Sequence, residues 1–304
     1  MRRQGFVLLV WIALTCSLWN CRSNAVFEPS RDAFENTTPP GTFRVDSSLF
    51  ADYTEITNFY WLEYLFWLSQ AYGYGSHEYK AALPDTSVWI GYAQNDSSRV
   101  TCYMRHPAYR DYPVVGVTAE QALAYSKWRS DRVLEVFLIR ESVIPWRPTG
   151  TVPEPFTIEW FYAQDSLKRF HVVPYPEYSL PTREERERLE HAAEVVNSKA
   201  LRRCRRSWCD ALKRPRLRYL PIDTAICAIE PTAPVDCYCR KYGVFHLIGN
   251  VREIAADTTL TFGGGWFDPP DSLNTEYVLP KGPPNAWTGF RNVCHWRNYT
   301  GPRP

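Results

Sequence analysis

Proline restricts the fold of this sequence more than any other residue. The chain contains 24 prolines, spread from Pro29 to Pro304. Proline fixes φ and has no backbone N–H, so it interrupts helices and is excluded from the centre of a sheet. Long regular elements are therefore few, and the 12 tryptophans supply burial that long helices would otherwise provide. The sequence predicts an irregular, loop-rich α+β fold.

Charge and apolar content narrow the class of protein. The formal net charge is +2, whereas a surface that neutralises phosphates normally gives a larger positive value, so we expect no nucleic-acid partner. Apolar residues make up 45% of the chain, which is ordinary for a globular protein with one substantial core.

The N-terminus has the layout of an export signal. Arg2 and Arg3 precede an apolar run, Phe6 to Trp19, that is too short to span a bilayer comfortably. We therefore expect residues 1–25 to be a signal peptide and the protein to be exported.

Two cleavage points are compatible with this signal. LWNC at Leu18–Cys21 is a loose lipobox, which would leave Cys21 lipidated and the protein in the periplasm or outer membrane. SNA at Ser23–Ala25 instead suits an ordinary signal peptidase and a secreted product. The polar residues 26–40, which end in Pro-Pro, predict a tether.

Seven cysteines follow Cys21, and in an oxidising compartment they are expected to form disulfides. Their spacings lack the CxxC pattern of structural zinc sites. The pairing stays open, and the odd number leaves one thiol over.

Residues 199–218 carry nine Lys or Arg against one Asp. Such a run is ordinarily a solvated surface, and the alternative is a contact surface for an anionic partner, such as lipid headgroups, an acidic protein face or cell-wall polymer. We expect the partner contacts at Arg202, Arg203, Arg205 and Arg206.

Several segments predict helices with defined ends. Thr57–Gly73 is apolar on more than one face, which predicts a buried helix. Thr118 and Thr182 are each followed three residues later by Gln or Glu, which predicts a capping box at the start of a helix. Residues 133–177 combine prolines and aromatics without clear periodicity and predict loops and short strands.

Six short motifs follow one another in a fixed order. They are EITN at Glu55–Asn58, PVVGVT at Pro113–Thr118, LPTREER at Leu180–Arg186, GNV at Gly249–Val251, GGGW at Gly263–Trp266 and GFR at Gly289–Arg291. This series resembles the formylglycine-generating enzyme (sulfatase-modifying factor) family. The resemblance covers roughly Gly41 to Asn298 and makes residues 41–304 one such domain. It implies a compact, poorly regular α+β domain related to C-type lectins.

Some motif residues are expected to hold this scaffold. Glycine permits close backbone approach, asparagine bonds turn backbone, and a buried arginine ties loops through its five donors. The residues are Asn250, Gly264, Gly265, Trp266 and Arg291.

The resemblance also implies where the chemistry of the family would lie. Its oxidases bind copper through a redox-active cysteine pair between the GGSW strand and the final GFR, and copper(I) favours thiolates. The interval Trp266–Arg291 contains no cysteine, and Cys294 lies just beyond it. We therefore expect no catalytic residues and no enzyme of this type.

A calcium site of the family is kept only in part. Gly249, Val251 and Glu253 are in register with it, but His246 stands where the family has an oxygen side chain, and calcium prefers oxygen ligands. Two alternatives stay open: calcium binds at these residues, or Glu253 is instead hydrogen-bonded to protein groups. We expect no other cofactor. Tryptophan positions of the family are replaced by Arg186, Arg252 and Ile254.

Together these features predict a non-catalytic, exported structural or interaction protein. Gliding bacteria use lipoproteins of this domain type in motility and type IX secretion machinery, and the order of signal, Cys21, tether and domain is similar. Envelope or secretion-machinery proteins are the expected partners, with a lipid anchor in the membrane. Two alternatives stay open: an oxidase of the formylglycine-generating type that uses other residues, and a secreted lectin-like ligand-binding module using aromatics such as Trp146, Trp160 and Trp287.

Overall fold

The computed structural model describes residues 37–91, 96–151, 154–203, 232, 244–269 and 278–301. The predicted signal peptide, Cys21 and residues 26–36 of the predicted tether lie outside these ranges, as do Arg205 and Arg206. Arg202 and Arg203 end a helix and are described through their backbone alone.

The described residues form a mixed helical and sheet structure, with which the α+β prediction is compatible. The α-helices are α1 Asn58–Tyr72, α2 His77–Ala81, α3 Asp96–Cys102, α4 Ala119–Arg140, α5 Ile158–Ala163 and α6 Arg183–Arg203. The strands are β1 Thr42–Arg44, β2 Phe50–Asp52, β3 Tyr175–Ser179, β4 Arg252–Ile254, β5 Leu260–Phe262, β6 Val278–Pro280, β7 Thr288–Gly289 and β8 Val293–Arg297. Short 3-10 helices lie at Thr86–Trp89, Pro107–Tyr109 and Asp165–Phe170.

The strands make two four-stranded sheets. The first has the order β1-β2-β8-β3, so the last strand lies inside the sheet, with Cys294 opposite both Phe50 and Tyr178. The second has the order β6-β5-β4-β7, in which β4 and β7 are parallel and place Glu253 beside Gly289. The second sheet therefore brings the GNV, GGGW and GFR motifs together.

Helix α1 begins and ends as its sequence predicts, because Thr57 accepts a hydrogen bond from the Tyr60 N–H at 3.2 Å and Gly73 follows with φ of +91°. Only one face of it is covered by the described residues. Trp61 is fully buried, whereas Phe66 is 62% exposed. The prediction of a buried helix is therefore wrong for the opposite face.

Both predicted capping boxes are present. The side chains of Gln121 and Glu185 accept hydrogen bonds from the backbone N–H groups of Thr118 and Thr182, at 2.8 and 2.9 Å. The Gln121 and Glu185 N–H groups donate in return to the threonine hydroxyls. These local hydrogen bonds begin α4 and α6.

Two α-helical segments and the 3-10 helix Asp165–Phe170 lie within residues 133–177, where the sequence predicts loops and short strands. Helix α4 continues to Arg140, and α5 occupies Ile158–Ala163. Leu134 and Phe137 of α4 are buried with Phe161 of α5 in one apolar cluster. The loop prediction is wrong there because packing between segments distant in sequence stabilises both helices.

An aromatic group lies at the centre of the main apolar core. Trp61 stacks on Tyr125 of α4 with ring centroids 5.4 Å apart, and the edge of Phe290 from the GFR motif meets both rings. The core thus joins α1 and α4 to the second sheet. Within the described ranges, no helix has the length and apolarity that crossing a bilayer requires.

Candidate functional site

A buried carboxylate, Glu253 of β4, lies where the three motifs of the second sheet meet. Arg291 donates to its Oε1 from Nε at 3.0 Å and from Nη2 at 2.8 Å, and Arg186 Nη1 donates to its Oε2. All three side chains are fully or almost fully buried. Burial alone would raise the pKa of Glu253, but the two guanidinium groups hold it below its ordinary value.

Arg186 is almost fully buried, and each of its side-chain nitrogens has a hydrogen-bond acceptor. Besides Glu253, it donates from Nε to Glu190 at 2.8 Å and from Nη2 to the Leu247 carbonyl. Its guanidinium also lies 5.8 Å from the Phe262 ring centroid. A buried arginine is tolerated here because carboxylates and a carbonyl oxygen surround it.

Arg291 ties separate segments to this centre. Its Nη1 donates to the Asp52 carbonyl of β2 at 3.0 Å, and its Nη2 also donates to the Phe245 carbonyl at 2.5 Å. It therefore joins the first sheet, the segment before the GNV turn and Glu253.

A second buried carboxylate, Glu55 of the EITN motif, adjoins the cluster. Its Oε1 accepts from Asn250 Nδ2 at 3.0 Å, and its Oε2 has no hydrogen-bond partner among the described residues. Burial raises the pKa of Glu55 to about 8, since the attraction of Arg291 is weaker and Glu253 adds repulsion. Glu55 is therefore largely protonated at neutral pH and contributes little charge.

The backbone of the GNV turn has positive φ at two positions, and glycine and asparagine occupy them. Gly249 and Asn250 have φ of +83° and +57°, values that glycine and asparagine adopt more readily than other residues. The Gly249 N–H donates to the Gly263 carbonyl at 3.0 Å, which joins the turn to the GGGW segment. His246 is also buried and has positive φ.

This geometry does not suit calcium at Gly249, Val251 and Glu253. Both Glu253 oxygens already accept from guanidinium groups, and the two cations beside them would repel a third. In the part of the chain that the structure describes, no group of three His, Cys, Asp or Glu side chains could hold a metal ion. Calcium binding at these three residues stays a prediction from the sequence, and the oxygen atoms of Glu253 do not fit it because both are already paired with guanidinium groups.

The GGGW segment is packed closely against its neighbours. A Cβ on Gly265 would lie 2.9 Å from the Trp287 carbonyl oxygen, and Gly264 has φ of +65°. Trp266 donates from Nε1 to the Ala286 carbonyl at 2.8 Å. Gly265 thus allows its backbone to meet the backbones of Trp287 and Arg252.

The described thiols are not arranged for catalysis. Cys102 and Cys294 are unpaired, and Cys294 lies fully buried in β8 between Phe50 and Tyr178. Burial raises the pKa of Cys294 well above the ordinary thiol value, so it does not ionise readily.

Two clefts beside α4 were not predicted from the sequence. The first, of about 530 Å³, is lined by Tyr64 and Trp128 among others, and the second, of about 500 Å³, by Arg132 and Trp160 among others. Trp67 and Phe156 line both, so the clefts adjoin.

The predicted ligand-contacting aromatics are not brought together. Trp160 lines the second cleft, and Trp146 is 69% exposed in the loop that borders it. Trp287 instead stacks on Phe267, with ring centroids 4.3 Å apart, outside both clefts. In the sequence, the signal for these clefts was the spacing of Trp128 and Arg132, which are four residues apart on α4 and therefore lie on one helix face.

The comparisons with known proteins agree with the order of motifs. A family model for the sulfatase-modifying factor enzyme 1-like domain matches residues 24–295, which is most of the chain. A search of curated proteins gave no match. The chain therefore belongs to the sulfatase-modifying factor enzyme 1-like (FGE-sulfatase) family.

Proposed function

We propose that this chain is a non-catalytic member of its family that acts as an exported structural or interaction protein. The observation that carries the proposal is the interval Trp266–Arg291, which has no cysteine where the family's oxidases have their copper-binding pair. The thiol beyond it, Cys294, is enclosed in the first sheet.

The charged centre supports the same proposal. Glu253, a fully buried carboxylate just after the GNV motif, is neutralised by Arg186 and Arg291 and accepts hydrogen bonds from protein groups on both oxygens. Such a centre connects the motifs through paired, buried charges and leaves little capacity to bind a metal or substrate. We propose further that the domain has the loop-rich, C-type-lectin-related architecture of the family.

The cell envelope is the proposed location. The signal sequence, Cys21 and the polar stretch to residue 40 support a lipoprotein, and Lys199–Arg218 supports contact with an anionic partner. We propose an envelope assembly of the secretion or gliding-motility type as that partner. An ordinary secreted, ligand-binding module is the second candidate, and the aromatic clefts beside α4 favour it.

An aldehyde assay tests the absence of catalysis. The purified protein, reduced and loaded with copper, is incubated with a synthetic sulfatase peptide that contains the target cysteine, beside an active oxidase as positive control. We expect no aldehyde above the level of the protein-free sample. Turnover that exceeded this level would replace the proposal with the oxidase alternative.

Fractionation tests the location. Native membranes are solubilised in mild detergent and the protein is captured with its partners, in parallel with a Cys21→Ser variant. We expect stoichiometric envelope proteins with the wild type and release of the variant into the soluble fraction. A wild-type protein that is soluble and alone would favour the secreted module.

A further inference from the structure

His295 of β8 lies where the first sheet meets the start of α6. It follows the buried Val293 by two residues, so its side chain points to the same face of the sheet. On that face Val293 belongs to an apolar cluster with Leu189 and Ala193 of α6. His295 is itself buried, and an ionisable ring in such a place requires hydrogen-bond partners from the fold.

Both ring nitrogens of His295 face an oxygen atom of another segment. Nδ1 lies 2.9 Å from the Ser48 carbonyl oxygen, in the turn between β1 and β2. Nε2 lies 2.7 Å from Glu185 Oε1, in the first turn of α6. These partners are 247 and 110 residues away in the sequence. The ring thus joins β8 to the β1–β2 turn and to the start of α6.

The two oxygen atoms can only accept hydrogen bonds. A carbonyl has no proton to donate. Burial alone would raise the pKa of Glu185, but hydrogen bonds from His295 and from the Thr182 N–H hold it below its ordinary value, so Glu185 is a carboxylate at neutral pH. A neutral histidine has one N–H and would turn a bare nitrogen toward the other oxygen. The arrangement is complete only when the ring carries both protons.

The neighbouring charges on this face of the sheet are paired with one another. Arg188 of α6 pairs with Asp46 of the β1–β2 turn at 2.8 Å. Glu177 of β3 lies opposite His295 in the ladder, and it pairs with Arg297 at 2.9 Å. Glu185 is therefore the carboxylate that the protonated ring neutralises.

β1 and β2 carry their charged side chains on the opposite face of the sheet. Arg44 lies opposite Phe50 and 4.5 Å from its ring centroid. Asp52 follows Phe50 by two residues and pairs with Arg129 of α4. These charges are separated from the histidine ring by the sheet itself.

We propose that His295 is a pH-sensitive joint, which holds the start of α6 and the β1–β2 turn on the first sheet while its ring carries both protons. Its contribution is fully present below about pH 6.5, the ordinary pKa of histidine in an unfolded chain. It is lost as the pH rises and the folded ring releases one of its two protons, because one of the two hydrogen bonds then breaks. The apolar contacts of Leu189 and Ala193 do not titrate, so the loss is confined to the start of the helix. The joint goes beyond the proposed function and requires neither a lipid anchor nor a partner.

Thermal unfolding of the purified, full mature chain measures this contribution. His295→Gln keeps an N–H donor for Glu185 and does not titrate, and His191→Gln makes the same change at an exposed position of α6. At pH 5.5 the Tm of the wild type should exceed that of His295→Gln by about 2–4 °C, and this difference should vanish by pH 8.5. His191→Gln should follow the wild type at both pH values. The titration of Glu55 is common to all three proteins and cancels in the comparison.

Nitrogen NMR of the wild type reads the ring directly and needs no variant that folds. Both nitrogens of His295 should be protonated at pH 5.5, and one of them should be bare at pH 8.5. A ring that was neutral at pH 5.5, or still doubly protonated at pH 8.5, would overturn the proposal. A Tm difference between the wild type and His295→Gln of equal size at both pH values would overturn it as well, because His295 would then have a structural role that does not depend on pH.

Discussion

The buried carboxyl of Glu55 should make the stability of this protein fall as the pH rises. Glu55 is fully buried, and its Oε2 has no hydrogen-bond partner among the described residues. Its pKa rises from 4.5 to about 8 on folding. The fold favours the protonated form, so the stability from Glu55 is fully present below pH 4.5 and is lost as the pH rises through about 8.

The size of this effect follows from the shift. One pKa unit corresponds to about 1.4 kcal/mol, so a shift of this size amounts to roughly 5 kcal/mol in total. Between pH 5 and pH 9 the wild-type protein should lose roughly 4 kcal/mol of its free energy of unfolding through Glu55 alone. Glu55→Gln keeps an oxygen for Asn250 and removes the titration, so its stability should lack this loss.

Urea unfolding at pH 5, 6, 7, 8 and 9 measures the difference. The matched control is Glu184→Gln, which makes the same change at an exposed position in the first turn of α6. We expect the Glu55→Gln curve to diverge from the wild type as the pH rises, and the Glu184→Gln curve to stay parallel to it. Parallel curves for all three proteins would refute the reasoning, because Glu55 would then have an ordinary pKa in the fold.

Three further perturbations follow from the contacts described. Arg291→Met removes one of the two cations that neutralise the buried Glu253 and leaves the Asp52 and Phe245 carbonyls without their donor. It should lower the free energy of unfolding measured in urea by about 3–5 kcal/mol, and the same change at the exposed Arg183 should cause no such loss. Cys294 should react with iodoacetamide only on unfolding, so modification in the native state at the rate of a free thiol would contradict its burial. Reversing the charge of four arginines in the basic stretch should release the envelope partner while Tm stays within a few degrees of the wild-type value. If the partner were still captured with this variant, the basic stretch would not be the interface. The four are Arg202, Arg203, Arg205 and Arg206.

Local signals in the sequence were sufficient to predict the starts of α1, α4 and α6 and to recognise the family. The capping boxes at Thr118 and Thr182 depend on residues three positions apart, and the structure confirms both. The order of the motifs was enough to recognise the family because each motif has a backbone requirement that few residues meet.

Features that depend on contacts between residues distant in sequence could not be predicted from local sequence signals. Arg186 and Glu253 are 67 residues apart, and neither residue reveals the other before the fold brings them together. The exposed face of α1 and the helical part of residues 133–177 were missed for the same reason, since tertiary packing overrides local pattern. The clefts beside α4 were missed because their walls come from segments that are distant in sequence and that only the fold brings together.

The place of β8 in the first sheet has a consequence for the order of folding. β8 lies between β2 and β3, and the Asn292 N–H donates to Asp52 across 240 residues of sequence. The N-terminal strands therefore cannot complete their sheet until the C-terminal segment has emerged, and such high contact order slows folding. In a growing chain the first sheet therefore stays incomplete until β8 has been made, and β1 and β2 keep an unpaired edge during all of the preceding synthesis.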